Sequence, residues 1–207
     1  MNNQELKKYI ETTILPKYQT LDLAHSGNHV FDVIETSFDI AKDYDLNLDM
    51  VYTIAAFHDV GLVVEREKHH IIGGEMLFHD AFINMYFNNE QIIIMKEAVE
   101  DHRASSKHPP RSIYGKVIAE ADRSDTMDTV IERTILFRLK QNESFETMYP
   151  DIYQHIVEKY GENGYLQVWL ETKRTKKMLE DIRKLLLDPK EFKSYIKRKY
   201  DLIYKNK

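Results

Sequence analysis

Apolar residues recur at three- and four-residue spacing along nearly the whole chain, the mark of helices that bury one face. Leu6, Tyr9, Ile10, Thr13 and Ile14 line a first helix, which Pro16 ends or kinks. Val30, Val33, Ile34, Phe38 and Ala41 mark a second. A third runs from about Leu48 through Val51, Ile54, Ala55 and Val60, with Asn47 or Asp49 as N-cap and Gly61 as the C-cap residue. Residues 73–87 and 90–102 read as two more helices, and 102–112, with two prolines, as a loop. Stretches 115–122, 129–139 and 143–160 are helical, 161–164 is a turn, and helices resume from Tyr165 with an interruption at Asp188 and Pro189. Period-two alternation is nowhere sustained, so the pattern predicts an all-α protein without a sheet.

Length adds a division to this picture. At ~150 residues per domain, 207 residues make one domain with an extension. Hydrophobic residues at 43% and charged ones at 30%, with only 7 Gly and 5 Pro, exclude disorder and low-complexity scaffolds. With no cysteine, disulfides, thiolate zinc sites, iron–sulfur clusters and cysteine nucleophiles are excluded, so any metal must be held by carboxylates and the 9 His. The N-terminal stretch lacks the continuous apolar run of a signal peptide. The longest apolar run, Ile54 to Phe57, is far short of the ~20 residues of a membrane span. The expectation is a cytoplasmic protein with no membrane partner.

The net charge of −5 rules out a globally basic nucleic-acid binder as the default, and it conceals an asymmetry. Residues 170–207 carry 13 Lys/Arg against 6 Asp/Glu, a local +7, while residues 1–169 carry 16 against 28, or −12. The basic tail is read first as a solvated helical face. Tyr195, Tyr200, Ile203 and Tyr204 would pack it on the acidic body or on a second subunit, as in a homodimer. Contact with an anionic partner is the weaker reading.

Chemistry concentrates in a few segments. His25 and His29 stand four apart, and His58-Asp59 closes an otherwise apolar helix. Burying a lone carboxylate there is costly, whereas a metal would neutralise Asp59 and use the imidazole together. His69-His70, Asp101-His102 and Asp122 lie at helix ends or in loops. His25, His79, His108 and His155 are read as ordinary structural or surface residues. The other donors, taken as a set, suit a divalent ion such as Mn, Fe, Co, Ni, Zn or Mg.

His29, His58-Asp59 and Asp122 resemble the H…HD…D signature of the HD superfamily of metal-dependent phosphohydrolases. The flanks agree: Ala55-Ala56-Phe57 before the doublet, Val60-Gly61 after it, and Ala121 to Asp125 around the last aspartate. Arg66, His69, Gly73 and Leu77 match the family's R-x-x-H-x-x-x-G-x-x-x-L segment, and Val99 to His102 resembles its next histidine. The resemblance covers roughly residues 20–140.

It implies an all-α HD core of about five helices over 1–140, with a helical C-terminal extension, 141–207, packed on it. It also implies that His29, His58, Asp59 and Asp122 ligate a first ion. In two-ion members a second is held by His69 or His70 and by His102, with Asp59 bridging. The register of Gly73 and Leu77 favours His69. The reaction implied is hydrolysis of a small phosphorylated molecule, a nucleotide or related phosphoester, by metal-activated water that Asp59 orients. Lys68 and Arg103 are favoured, ahead of Arg66, Lys107, Arg111 and Arg123, to clamp the phosphate. Glu65, Glu75 and Asp125 are candidate acceptors for the outer ring nitrogens. Long nucleic acid is not expected, because the acidic body repels a polyanion. Arg103-Ala-Ser-Ser stands where the cyclic-dinucleotide phosphodiesterase branch has its Gly-Tyr-Pro element, and Val60 to Val63 lacks the acidic pair of alarmone hydrolases. The alternatives are a di-iron oxygenase on the same fold and a non-catalytic regulatory domain.

Overall fold

A computed structural model of the chain describes residues 3–20, 27–103, 106, 108–123, 126–139 and 144–205. His25, Lys107 and Asp125 lie outside the described residues. The chain is all-helical, with no strand among the described residues. Its helices are α1 (Asn3–Tyr9), α2 (Gly27–Ala41), α3 (Leu48–Phe57), α4 (His69–Phe78), α5 (Ala81–Tyr86) and α6 (Asn89–Asp101). They continue with α7 (Ile113–Ala121), α8 (Met127–Leu139), α9 (Phe145–Tyr160), α10 (Lys173–Leu186) and α11 (Pro189–Lys205). Ahead of Pro16, α1 widens into a π turn (Ile10–Ile14) and then tightens into a 3-10 turn (Leu15–Thr20).

Contacts divide the chain into two units, Met1–Arg123 and Ser124–Lys207. The family resemblance in the sequence implies a division near residue 140, after α8. The apolar stripe of α8, Val130, Ile131, Ile135 and Leu139, packs with α9, α10 and α11, so this helix belongs to the second unit.

The first unit is built around α3. Asn47 caps it, accepting from the amides of Asp49 (2.9 Å) and Met50 (3.3 Å). Beyond Leu48, Asp49 and Tyr52 every residue of α3 is buried, as befits a helix apolar on all sides. It packs against α2, α6 and α7. The helix stops at Phe57 rather than running on through Val60, and a 3-10 turn (Val60–Val63) comes next. Gly61 is therefore not its C-cap. It lies instead against the first turn of α4, where a Cβ would stand 2.1 Å from the His69 carbonyl oxygen.

Two other stretches differ from the pattern reading. The helix expected over 73–87 breaks at Asp80, whose carboxylate caps α5 by accepting from the amides of Phe82 and Ile83, both at 3.0 Å. Residues 165–172 are not helical. The amides of Tyr165 and Leu166 bond back to the carbonyls of Glu158 and Lys159, and Thr172 then caps α10.

In the second unit the basic helices spend much of their charge locally. Lys193 reaches Glu146 (2.8 Å), Lys199 reaches Glu132 (2.8 Å) and Asp128 (3.0 Å), and Arg198 reaches Glu191 (3.0 Å). Lys193 and Lys197 also lie over the ring of Phe145.

Candidate metal centre

Helix ends bring the site together. His58, His102 and Asp122 are the C-cap residues of α3, α6 and α7, so three helix C-termini, with their partial negative charge, adjoin one point. His29 comes from the first turn of α2 and His69 opens α4, which offsets part of that field. Gly73 and Gly74 let α4 lie close on α6, since a Cβ there would crowd Val99 and Glu100 respectively.

Two candidate ligand groups result, each of which could hold a metal ion: His29, His58, Asp59 and Asp122, and Asp59, His69 and His102. In the first, His29 Nε2 stands 3.0 Å from Asp122 Oδ1, and His58 Nε2 stands 3.4 Å from Asp59 Oδ2 and 3.8 Å from Asp122 Oδ1. In the second, Asp59 Oδ1 lies 3.2 Å from His69 Nε2 and 3.4 Å from His102 Nε2. The two oxygens of one carboxylate thus face different groups.

Donors that share an ion at ~2.0–2.2 Å must stand about 3–3.6 Å from one another, close to the spacings found. Ring orientation fits as well. His58, His69 and His102 each donate Nδ1–H to a carbonyl three residues back, those of Ala55 (2.8 Å), Arg66 (2.7 Å) and Val99 (2.6 Å). A carbonyl only accepts, so the proton is on Nδ1 and Nε2 is turned inward as the donor to a cation. His69 Nε2 and His102 Nε2 face each other at 3.2 Å, a contact that needs a proton or a cation between them. His58 Nε2 is buried and makes no well-aligned hydrogen bond, only the 3.4 Å approach to Asp59 Oδ2. The residues fit a divalent ion in each group.

Electrostatics point the same way. Burial opposes the charge on His58, yet the Asp59 and Asp122 carboxylates outweigh it and hold its pKa up at about 9. Burial also disfavours ionised Asp59 and Asp122, but the surrounding imidazoles keep both below the usual carboxylate range. Without metal, the His58 contribution to stability is complete below its ordinary 6.5 and is lost as pH rises towards about 9. The aspartate contribution is complete above their ordinary 3.8 and is lost as pH falls below it. Chelator-treated protein should therefore show a falling melting temperature from pH 6.5 to 9. Added divalent ion, which displaces the His58 proton, should stabilise it increasingly over the same range. Thermal melts with EDTA and with metal across that range test both slopes.

The family model of the HD domain matches residues 27–127. Residues 27–127 are an HD domain. All six donor residues fall inside the matched region. Over 96% of its length the chain is also similar in fold to the crystal structure of a predicted HD superfamily hydrolase from an uncultured Thermotogales bacterium. The TM-score is 0.54 at 21% identity, with 97% of that chain covered. No curated protein sequence matches it significantly.

Within the HD domain the doublet His69-His70 separates. Neighbours on a helix point about 100° apart, and it is His69 that joins the ligand group. His70 stays outside it, with Nδ1 buried and unpartnered and its pKa pushed down to about 4 by burial and by the nearby charge of Arg103. Of the candidate cations, Arg103 donates to the Glu67 carbonyl (3.1 Å), while Lys68 is mostly exposed and pairs with Glu65 (3.4 Å). Arg111 is engaged with Asp101, Glu100 and Glu97, and Arg123 pairs with Glu120 at 3.7 Å. Glu75 pairs with Lys96 and His79, so it is not an orienting acceptor; backbone carbonyls do that work.

One residue escaped sequence reading. The hydroxyl of buried Tyr18 donates to the Ala56 carbonyl (3.0 Å) and accepts from the Asp59 amide (3.2 Å). Burial and the Asp59 charge hold its phenol well above the ordinary range. Only the aromatic residue two past Pro16 was visible beforehand, and nothing in its spacing points to Asp59.

Proposed function

We propose that this HD-domain protein is a metal-dependent phosphohydrolase acting on a small phosphorylated molecule, a nucleotide or related phosphoester. The observation that carries the reading is the Asp59 carboxylate, whose two oxygens each face a separate His-rich ligand group. His29, His58 and Asp122 would hold one ion with Asp59, and His69 and His102 a second. Divalent ions bound there would activate water and offset charge developing on the phosphoryl oxygens. Mn, Fe, Co, Ni, Zn and Mg all suit such donors.

The chain's own groups supply the rest. Asp59 is fixed by both histidine clusters and orients the water. Arg103 is the better placed of the two expected clamps, because its charge already reaches His69 and His70. Lys68, on the exposed side beside His69, is a second cation for the phosphate. Asp122 is the most exposed of the donors, which sets the approach of substrate from its side. The −12 carried by residues 1–169 favours a small anion over a long polyanion. A cytoplasmic working place goes with this reading, and no described helix is long and apolar enough to cross a membrane.

Metal analysis of purified protein, combined with phosphate release from a panel of nucleotides and sugar phosphates, tests the proposal. The expected result is bound divalent metal and chelator-sensitive phosphate release. Dioxygen uptake by iron-loaded protein without phosphate release would overturn it in favour of an oxygenase, and absence of any metal would leave a binding domain.

A further inference from the structure

We infer that Tyr18 is a positioning residue for the metal centre, and that the segment before the HD match supplies it. The inference rests on the metal-binding part of the proposed function and not on phosphoester hydrolysis. At the end of α3 the backbone must leave the helix between His58 and Asp59, because the imidazole and the carboxylate serve the site from different directions. The Ala55 carbonyl is taken by His58 Nδ1–H, which removes the acceptor that a continuing helix would offer the Asp59 amide. That amide goes to the Tyr18 hydroxyl, and the same hydroxyl satisfies the Ala56 carbonyl, one of the orphan acceptors of the helix end. One phenol thus replaces two backbone bonds at the residue whose carboxylate faces both ligand groups. Asp59 sits at φ −110°, ψ 4°, outside the helical region, which this arrangement allows.

The phenol is itself held firmly. It lies on the Leu15–Thr20 turn, which packs on α2 and on the Val60–Val63 turn just past the doublet. Tyr18 is 1% exposed, and Ile10, Ile14 and Leu15 of the same segment share its core. All of these precede residue 27, where the HD match begins. The N-terminal segment is thereby part of the metal centre and not an appendage to it.

The test compares Tyr18→Phe with a Tyr9→Phe control, whose hydroxyl bonds Asp80 away from the ligands. Each full-length protein is titrated with Mn²⁺ alone, followed by electron paramagnetic resonance and chelator competition, with circular dichroism to report folding. Residues that support ligands typically change metal affinity by 10–100-fold. Tyr18→Phe should keep its helical signal but bind Mn²⁺ about tenfold more weakly, with excess Mn²⁺ restoring occupancy, while Tyr9→Phe binds as the parent does. Unchanged Mn²⁺ affinity in folded Tyr18→Phe overturns the inference, as does a parent protein that takes up no divalent ion. Should Tyr18→Phe fail to fold, 3-fluorotyrosine at position 18 of the otherwise native chain answers the question. Its fluorine resonance should shift on adding Zn²⁺, and an unmoved resonance overturns the inference. A parent that binds Mn²⁺ but releases no phosphate sinks the phosphohydrolase reading alone.

Discussion

Asp59→Ala is expected to cost the protein both ion sites and all metal-dependent activity while leaving its helical fold in place. No other residue belongs to both ligand groups. Removing its carboxylate takes one of four donors from the first group and one of three from the second. Activity should fall by more than the 10–100-fold that loss of a merely supporting residue brings. Folding survives for an electrostatic reason. His58 holds a proton in a fully buried place because Asp59 and Asp122 favour its charge. Without Asp59, burial regains ground, and the imidazole can neutralise in place of remaining a stranded ion. The stability cost should therefore stay below the about 3–5 kcal/mol typical of an uncompensated buried charge. Elemental analysis, circular dichroism and phosphate release on the purified variant check the three statements separately. Survival of full metal-dependent phosphatase activity would show that the ligand assignment is wrong.

Why a candidate centre was legible is visible in α3. A run as apolar as Ile54 to Phe57 that ends in His-Asp has few solutions other than a partnered, buried pair, and the residues suited to be partners recur at helix ends downstream. The choice between His69 and His70 was open because sequence gives the turn of a helix but not which side faces its neighbour. Gly61 shows a different limit. A glycine after an apolar helix carries the same signal whether it closes that helix or makes room for another, and only the packing of α4 distinguishes them. Tyr18 was invisible because its partners are 38 and 41 residues away in the chain. That α8 packs within the second unit was hidden for a related reason. The stripe on α8 announces burial without naming what it is buried against, and α10 and α11 lie far beyond it in sequence.

Gly61→Ala should separate the two ligand groups that Asp59→Ala removes together. The new methyl carbon would stand 2.1 Å from the His69 carbonyl oxygen and 2.8 Å from the Gly73 amide nitrogen, atoms of the first two turns of α4. These are backbone atoms, so no side chain can swing aside to relieve the clash. Restoring ordinary contact requires α4 to retreat by about 1 Å, and overpacking of this kind costs about 3 kcal/mol, at the upper end of the usual range. On the order of 10 °C of melting temperature should be lost with it. The movement falls on His69, which opens α4 and stands 3.2 Å from both Asp59 Oδ1 and His102 Nε2. A displacement of about 1 Å can cost 10²-fold in a reaction that depends on placement. The group of His29, His58, Asp59 and Asp122 contains no residue of α4 and should keep its ion. Metal stoichiometry is thus expected to fall from two ions per chain to one, with phosphate release reduced by about a hundredfold. A Gly61→Ala protein with two ions and an unshifted melting temperature would show that the position of His69 does not depend on this close approach.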